Sequence, residues 1–407
     1  MCGVFGVVLP PGGDQSAAAV ASLGLFALQH RGQESAGVAV SDGEQLMLYK
    51  DLGMIASVLD ERRLPSLRGG LAIAHCRYST TGSTIWENAQ PTFRLGPRRA
   101  LAIGHNGNLV NTRELLGQLA GGRGRLPAST DTELLTALLA DEPAADTVDA
   151  LVRVLPRVHG AFSLVILEPG VEPRSVRFAP ANPALCVFEM IYFARPDSYM
   201  EGRNLYEVRR RMGEELAREH PAETDLVMPV PDTGAPAAAG YAEISGIPFR
   251  EGLIRNRYTG RTFIQPSQTM RHRGVTMKLN PLREVVRGKR LTVVDDSIVR
   301  GTTTAPTVAM LRRAGAREVH VRIHSPQMTY PCYMGVDTGR RSELIAANQD
   351  LEGIRRAIGA DSLGYLSQEG LLAAVGGDPQ GFCTACFDGR YPTDVPLELD
   401  KFALERG

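Results

Sequence analysis

The sequence predicts two domains of mixed α and β structure, an α+β N-terminal part over 2–182 and an α/β part over 183–407 built on a parallel sheet. Three observations carry this. At 407 residues the chain exceeds the roughly 250–300 that one core organises. The first third holds apolar runs of strand length separated by Gly and Asn turns, with helical stretches between them. From about residue 181 the texture becomes strand, polar or Gly-rich loop, helix, and that alternation implies parallel strands with helices on both faces.

In order, GVFGVVL (3–9), SAGVAVSD (35–42), EQLMLYKDLG (44–53), GGLAIAHCRYST (69–80), RALAIGHNGNL (99–109) and GAFSLVILEPG (160–170) read as strands. Residues 16–30 and 131–140 read as helices, the second with Ser129 and Thr130 as N-cap candidates and acids in its first turn. ETDLVMPVPDTG (223–234) and the long run 288–326 read as strand, loop and helix, the latter continuing into a further strand. The basic, apolar-poor stretch 254–280 reads as a long functional loop.

Composition excludes several classes. Lys and Arg number 45 against 45 Asp and Glu, which argues against a nucleic-acid partner. No apolar run approaches the roughly 18–20 residues of a membrane span, and no secretory leader is visible, so a cytoplasmic protein is expected. In a reducing compartment the six cysteines, Cys2, Cys76, Cys186, Cys332, Cys383 and Cys386, read as nucleophile, metal ligands or small buried residues rather than disulfides.

VVDDSIVRGTTTA (293–305) is the most specific motif of the second half. Asp295 and Asp296 fall at the carboxyl end of an apolar strand, where open α/β sheets bind ligands. Gly301 lets the backbone approach closely, and Thr302, Thr303 and Thr304 open a helix whose N–H groups and dipole attract an anion. Two acids followed by a phosphate cradle suit a sugar phosphate, the acids taking ribose hydroxyls or Mg²⁺. The string resembles the phosphoribosyl-pyrophosphate (PRPP) motif of type I phosphoribosyltransferases. By that resemblance VPDTG (230–234) is the pyrophosphate loop, and 254–280 is a flap that closes over an anionic substrate.

The start of the chain, MCGVFGVV, places a cysteine after the first methionine. Once the methionine is removed, Cys2 carries both a thiol and an α-amine, with reference pKa values of about 8.5 and 7.7–8.0, and the amine can serve as base for the thiol. HCRYSTTG (75–82) offers Arg77, whose fork suits a carboxylate. GHNGNL (104–109) offers Asn106 and the Gly107 N–H as an oxyanion hole, and STDTE (129–133) offers Asp131 for an ammonium. With QHRGQESAG (29–37), these pieces in this order resemble the class II glutamine amidotransferases, and with the PRPP motif behind them the glutamine phosphoribosylpyrophosphate amidotransferase family.

The resemblance covers nearly the whole chain. It implies an N-terminal-nucleophile αββα glutaminase domain and a type I phosphoribosyltransferase domain whose C-terminal tail binds a cluster. It implies Cys2 as nucleophile, Asn106 and Gly107 as oxyanion hole, and Arg77 and Asp131 as glutamine ligands. PRPP falls to Asp232, Thr233, Asp295, Asp296, Ser297, Arg300, Gly301, Thr302, Thr303 and Thr304, with Thr233, Asp295 and Asp296 on Mg²⁺. The expected reaction turns glutamine and PRPP into 5-phosphoribosylamine, pyrophosphate and glutamate. Purine nucleotides are the expected inhibitors and a homo-tetramer the expected assembly.

Cys383-x-x-Cys386 has metal-ligand spacing, and Cys186 and Cys332 complete four thiolates, a set for zinc or an iron–sulfur cluster. One branch of the family holds a [4Fe–4S] cluster on ligands that match these four positions. The chain also departs from the family that it resembles. There, further strands follow the AFSLVIL strand, whereas here only EPGVEPRSVRFA (168–179) separates it from PANPALCVFE. The expectation is an uncovered sheet edge beside 161–167. Two other readings follow: a phosphoribosyltransferase using free ammonia with an impaired glutaminase half, and a non-catalytic nucleotide-responsive iron–sulfur protein.

Overall fold

The computed structural model describes residues 1–10, 16–176, 178–179, 183–256, 278–338, 340–395, 401–402 and 404–405. The chain divides into two compact units: one of 1–182 with 332–339 and 393–407, the other of 183–331 with 340–392. Two segments that the linear reading puts in the second domain thus belong, by contact, to the first unit.

The first unit has four layers. Strands β1 (Gly3–Val8), β2 (Ser35–Ser41), β3 (Leu46–Leu52) and β4 (Leu71–Arg77) form an antiparallel sheet in the order β1-β4-β2-β3, with helix α1 (Ala17–Ala27) on its outer face. Its small residues Ala17, Ala18 and Ala21 let the α1 backbone approach the sheet, and Leu25 fills the remaining space. Strands β5 (Thr92–Leu95), β6 (Ala100–Leu109) and β7 (Gly160–Leu167) form the second sheet, in the order β5-β6-β7. Ala39 and Ile73 of one sheet meet Ala102 and Leu167 of the other. Helices α2 (Asp131–Asp141) and α3 (Thr147–Val154) cover the far side.

Helix α2 is buried on nearly every side, which its leucines Leu134, Leu135, Leu138 and Leu139 require. Thr130 caps it by accepting a hydrogen bond from the Glu133 N–H, a contact worth about 1 kcal/mol. Strand β7 is an edge strand, and among the described residues no strand pairs on its outer side. Phe162 of β7 stacks on Phe178, and Ala161 and Ser163 are exposed.

The second unit begins at β8 (Leu185–Cys186) and α4 (Leu205–Glu219). Its sheet consists of β9 (Leu226–Pro229), β10 (Arg290–Asp295), β11 (Glu318–Ile323) and β12 (Ser362–Tyr365), all parallel in that order. Helix α5 (Ala235–Ser245) packs with α4 on one face, and α6 (Thr304–Arg313) and α7 (Leu351–Ile358) pack on the other. Gly240 lies so close to α4 that a Cβ would meet the Arg210 carbonyl at 2.0 Å. Helix α8 (Gln368–Val375) joins the first face, and the short strand β13 (Phe382–Cys383) pairs in parallel with β8 before a last turn of helix at Ala385–Asp388. Residues 257–277, the bulk of the expected flap, lie outside the described residues. No helix among the described residues is long and apolar enough to cross a membrane.

Candidate active sites

The first site is assembled from strand ends. Pairing of β1 with β4 sets Gly3 opposite Cys76, so Cys2 arrives beside Arg77. A Cβ at Gly3 would lie 2.6 Å from Cys76 Sγ and 2.9 Å from Leu28 Cβ, so only glycine lets the strand enter at this depth. Cys2 is 7% exposed. Its main-chain nitrogen donates to Asn106 Oδ1 at 2.8 Å, its carbonyl accepts from Arg31 Nε at 2.9 Å, and Sγ lies 3.5 Å from both Tyr78 N and Tyr78 O.

Gly107 has φ +153, and a Cβ there would meet the Ala161 carbonyl at 2.0 Å, so this bend of β6 admits no side chain. Asp131, at the N-terminus of α2, accepts from Leu109 N at 3.0 Å and from Thr132 N at 2.9 Å. Arg77 is buried, donates to the carbonyls of Thr81, Gly82 and Ser83, and has Glu34 at 3.7 Å. Burial pulls its pKa down, against the opposing pull of Glu34. One cavity is lined by Cys2, Arg77, Gly107 and Asp131, together with Tyr78 and His105.

The sequence reading missed His105, Gln90 and Thr132, which line the same cavity. The His105 amide N–H donates to Gln90 Oε1 at 2.8 Å, His105 Nδ1 lies 3.0 Å from Thr132 Oγ1, and Gln90 Nε2 donates to Thr132 Oγ1 at 3.0 Å. Burial lowers the His105 pKa, against Asp131 at 3.9 Å, and its buried Nε2 has no hydrogen-bond partner among the described residues. The signal was present in GHNGNL, whose histidine directly precedes Asn106. Cys76 is fully buried, and burial, then the neighbouring Cys2, pushes its thiol up to about 12, which suits a small core residue.

The second site lies at the carboxyl ends of β9 and β10. Asp296 accepts from Thr233 Oγ1 at 2.6 Å and from Ser297 Oγ at 2.5 Å, and Asp295 accepts from the Asp296 N–H at 2.9 Å. Burial, and then the charge of Asp296, raises the Asp295 pKa well above the usual carboxylate range. The all-oxygen donors of this pair with the Thr233 hydroxyl fit a hard divalent cation. Asp232 pairs with Arg255 at 2.5 Å. Gly301 has φ +70, and no side chain caps the N-terminus of α6, which starts at Thr304. Arg300 is held by Glu343 at 2.5 Å.

Of the four cysteines, Cys186 and Cys383 face each other in the register of β8 and β13, and Cys386 follows in the last helical turn. Cys332 belongs to the first unit, where its amide donates to Thr338 Oγ1. The donor chemistry fits a thiolate-bound metal, although among the described residues no group of three or more His, Cys, Asp or Glu side chains is arranged to hold one.

A family model described as a glutamine amidotransferase domain matches residues 75–195. A protein of Mycobacterium tuberculosis named amidophosphoribosyltransferase is 47% identical over 471 aligned positions, covering 99% of this chain and 89% of the relative. The chain belongs to the amidophosphoribosyltransferase family. The like-named protein of Methanocaldococcus jannaschii is 40% identical over 98% of this chain and 99% of its own.

The structure of an allosteric regulatory enzyme of purine biosynthesis matches with TM-score 0.88 and 39% identity, covering 99% of this chain and 98% of that one. The glutamine PRPP amidotransferase from B. subtilis, complexed with ADP and GMP, matches with TM-score 0.86 and 41% identity, covering 97% and 98%. An amidophosphoribosyltransferase of this family therefore has the glutaminase and phosphoribosyltransferase folds that the motifs imply. The M. tuberculosis alignment spans 471 positions against 407 residues here, so at least 64 of those positions (471 less 407) lack a counterpart in this chain.

Proposed function

We propose that this amidophosphoribosyltransferase hydrolyses glutamine at Cys2 and transfers the ammonia to PRPP, releasing pyrophosphate and forming 5-phosphoribosylamine, the entry to purine synthesis. The observation that carries the glutaminase reading is the 2.8 Å hydrogen bond from Cys2 N to Asn106 Oδ1 beside a cavity lined by Cys2, Arg77, Gly107 and Asp131. Loss of Met1 turns that nitrogen into the free amine that takes the Sγ proton. With Asn106 Oδ1 turned towards the amine, Asn106 Nδ2 and the Gly107 N–H are left for the oxyanion. Arg77 takes the glutamine carboxylate and Asp131 its ammonium. Sγ attacks the amide carbon, ammonia leaves with the proton, and water then cleaves the thioester to glutamate.

In the second unit Asp295, Asp296 and Thr233 hold Mg²⁺, which when bound neutralises the leaving diphosphate. Asp232 lies by the diphosphate, Ser297 braces Asp296, and Arg300 with Gly301 to Thr304 cradles the 5′-phosphate. For Arg300 this requires release from Glu343. Cys186, Cys332, Cys383 and Cys386 hold a [4Fe–4S] cluster that pins the tail, a reading supported by the pairing of Cys186 with Cys383 and tested by iron and sulfide analysis of anaerobically purified protein. The ADP and GMP in the B. subtilis relative support purine nucleotides as inhibitors. A homo-tetramer is the assembly in this reading.

Turnover of Cys2→Ala with glutamine and with ammonium tests the division of labour. Glutamine-dependent product should fall at least a thousandfold, roughly as on removal of a catalytic nucleophile, and ammonia-dependent product should stay. Equal loss of both overturns the proposal. A second reading, turnover with free ammonia only, is favoured by the outer side of β7, unpaired among the described residues, and by the missing aligned positions, and predicts no glutamine-dependent product in the unsubstituted protein.

A further inference from the structure

The orientation of Arg77 is set at second hand. Its guanidinium donates to the carbonyls of Thr81 at 2.8 Å, Ser83 at 3.1 Å and Gly82 at 3.3 Å. Residues 78–85 contain no helix or strand, and of those carbonyls only that of Ser83 has local donors, the Ile85 N–H at 3.1 Å and Asn88 Nδ2 at 2.9 Å. On one side the loop is pressed against its own unit: a Cβ at Gly82 would lie 2.9 Å from Asn88 Nδ2 and 2.9 Å from the Ser129 carbonyl.

On the other side it is held by the far end of the chain. The Gly82 N–H donates to the Lys401 carbonyl at 2.9 Å. Ser83 donates twice to one oxygen of Glu405, from its N–H at 2.7 Å and its hydroxyl at 2.6 Å, and the Ser129 hydroxyl reaches the same oxygen at 3.1 Å. Lys401 Nζ donates to Ser79 O at 3.1 Å and pairs with Asp337 at 3.0 Å. Arg123 Nε donates to the Leu404 carbonyl at 2.5 Å, which ties the same segment to the body of the unit. For Glu405, burial, which pushes its pKa up, is outweighed by the bonds from Ser83 and Ser129, so the group is below the usual carboxylate range.

We infer that Lys401, Leu404 and Glu405 form a positioning strap for the glutamine site: Glu405 and Lys401 hold the loop 79–83 so that its carbonyls aim Arg77 at the glutamine carboxylate. This rests on the reading of Arg77 as a glutamine ligand. The strap touches neither substrate nor Cys2, so its removal weakens glutamine binding and leaves the chemical step intact. Charge and reach both matter, since one carboxylate oxygen collects three donors.

The full chain, as purified, is assayed as Glu405→Ala, Glu405→Asp and Lys401→Met, with glutamine and with ammonium as nitrogen donor. The expected result for Glu405→Ala is a glutamine KM raised about tenfold, roughly the loss of one charge-assisted contact, with kcat within twofold and ammonia-dependent turnover unchanged. Lys401→Met should raise KM less, and Glu405→Asp should recover part of the affinity. Arg77→Gln is the control for the underlying reading. If Arg77→Gln raises the glutamine KM and Glu405→Ala does not, the strap is overturned. If Arg77→Gln itself leaves KM unchanged, the ligand reading fails and the strap falls with it. A parallel loss of ammonia-dependent turnover in Glu405→Ala also overturns the proposal, because it marks general damage to the fold.

Discussion

The glutamine pocket and the PRPP loop are built in opposite ways. The loop is one continuous stretch, from strand β10 through Asp295 and Asp296 to the first turn of α6, and its chemistry is local to that stretch apart from Asp232 and Thr233 beyond the neighbouring strand end. The pocket is convergent: Cys2, Arg77, Gly107 and Asp131 come from the start of β1, from β4, from β6 and from α2, elements far apart in sequence. A local site survives as long as one loop keeps its shape. A convergent site depends on every register and every close approach that brings its parts together.

That contrast is open to direct attack. The largest effect is expected from Asp295→Asn with Asp296→Asn, which removes both carboxylates of the local site. Glutamine- and ammonia-dependent turnover should fall together, on the order of a thousandfold. If only one falls, the two sites are not divided as described. Next, Gly107→Ala should cut glutamine-dependent turnover by about a hundredfold, as loss of one oxyanion donor does, and spare ammonia. Its Cβ has no room beside the Ala161 carbonyl, so a variant with full glutamine activity would disprove the close approach.

His105→Asn should cost roughly tenfold in glutamine kcat/KM by loosening the network through Thr132 and Gln90. An unchanged value would make that histidine mere core. The smallest consequence concerns stability rather than turnover at neutral pH. Burial holds His75 neutral, with its pKa lowered to about 3. The folded pKa lies below the unfolded one, so its stabilising contribution is full above about pH 6.5 and is lost as pH falls towards 3. Between pH 7 and 5 the loss is about 2 kcal/mol, read by denaturant unfolding. His75→Gln should flatten that dependence, and an equal slope in both proteins would refute it.

The same contrast explains what was legible in the sequence. VVDDSIVRGTTTA could be read as a site because strand end, acids, glycine and helix start follow one another in the chain. The glutaminase residues were legible only as a set, since a lone Arg77 or Asn106 in a turn is ordinary. Strand periodicity revealed β1 to β4, β6 and β7 but not the four-residue β5, and the acids and Thr130 revealed the start of α2. What stayed hidden are the residues whose role exists only in three dimensions. Gln90 and Thr132 carry no local signature, and Glu405 meets Ser83 across 322 positions of sequence. The assignment of 332–339 and 393–407 to the first unit was hidden for the same reason, because contact, not order, decides it.

The outer side of β7 carries one further implication. Among the described residues no strand pairs on this side, and an edge strand presents a row of amide and carbonyl groups at ladder spacing, a template on which another extended chain can dock. Self-association through this row would join copies edge to edge and grow with protein concentration. A charge at the exposed Ser163, as in Ser163→Lys, would blunt it and keep the protein dispersed.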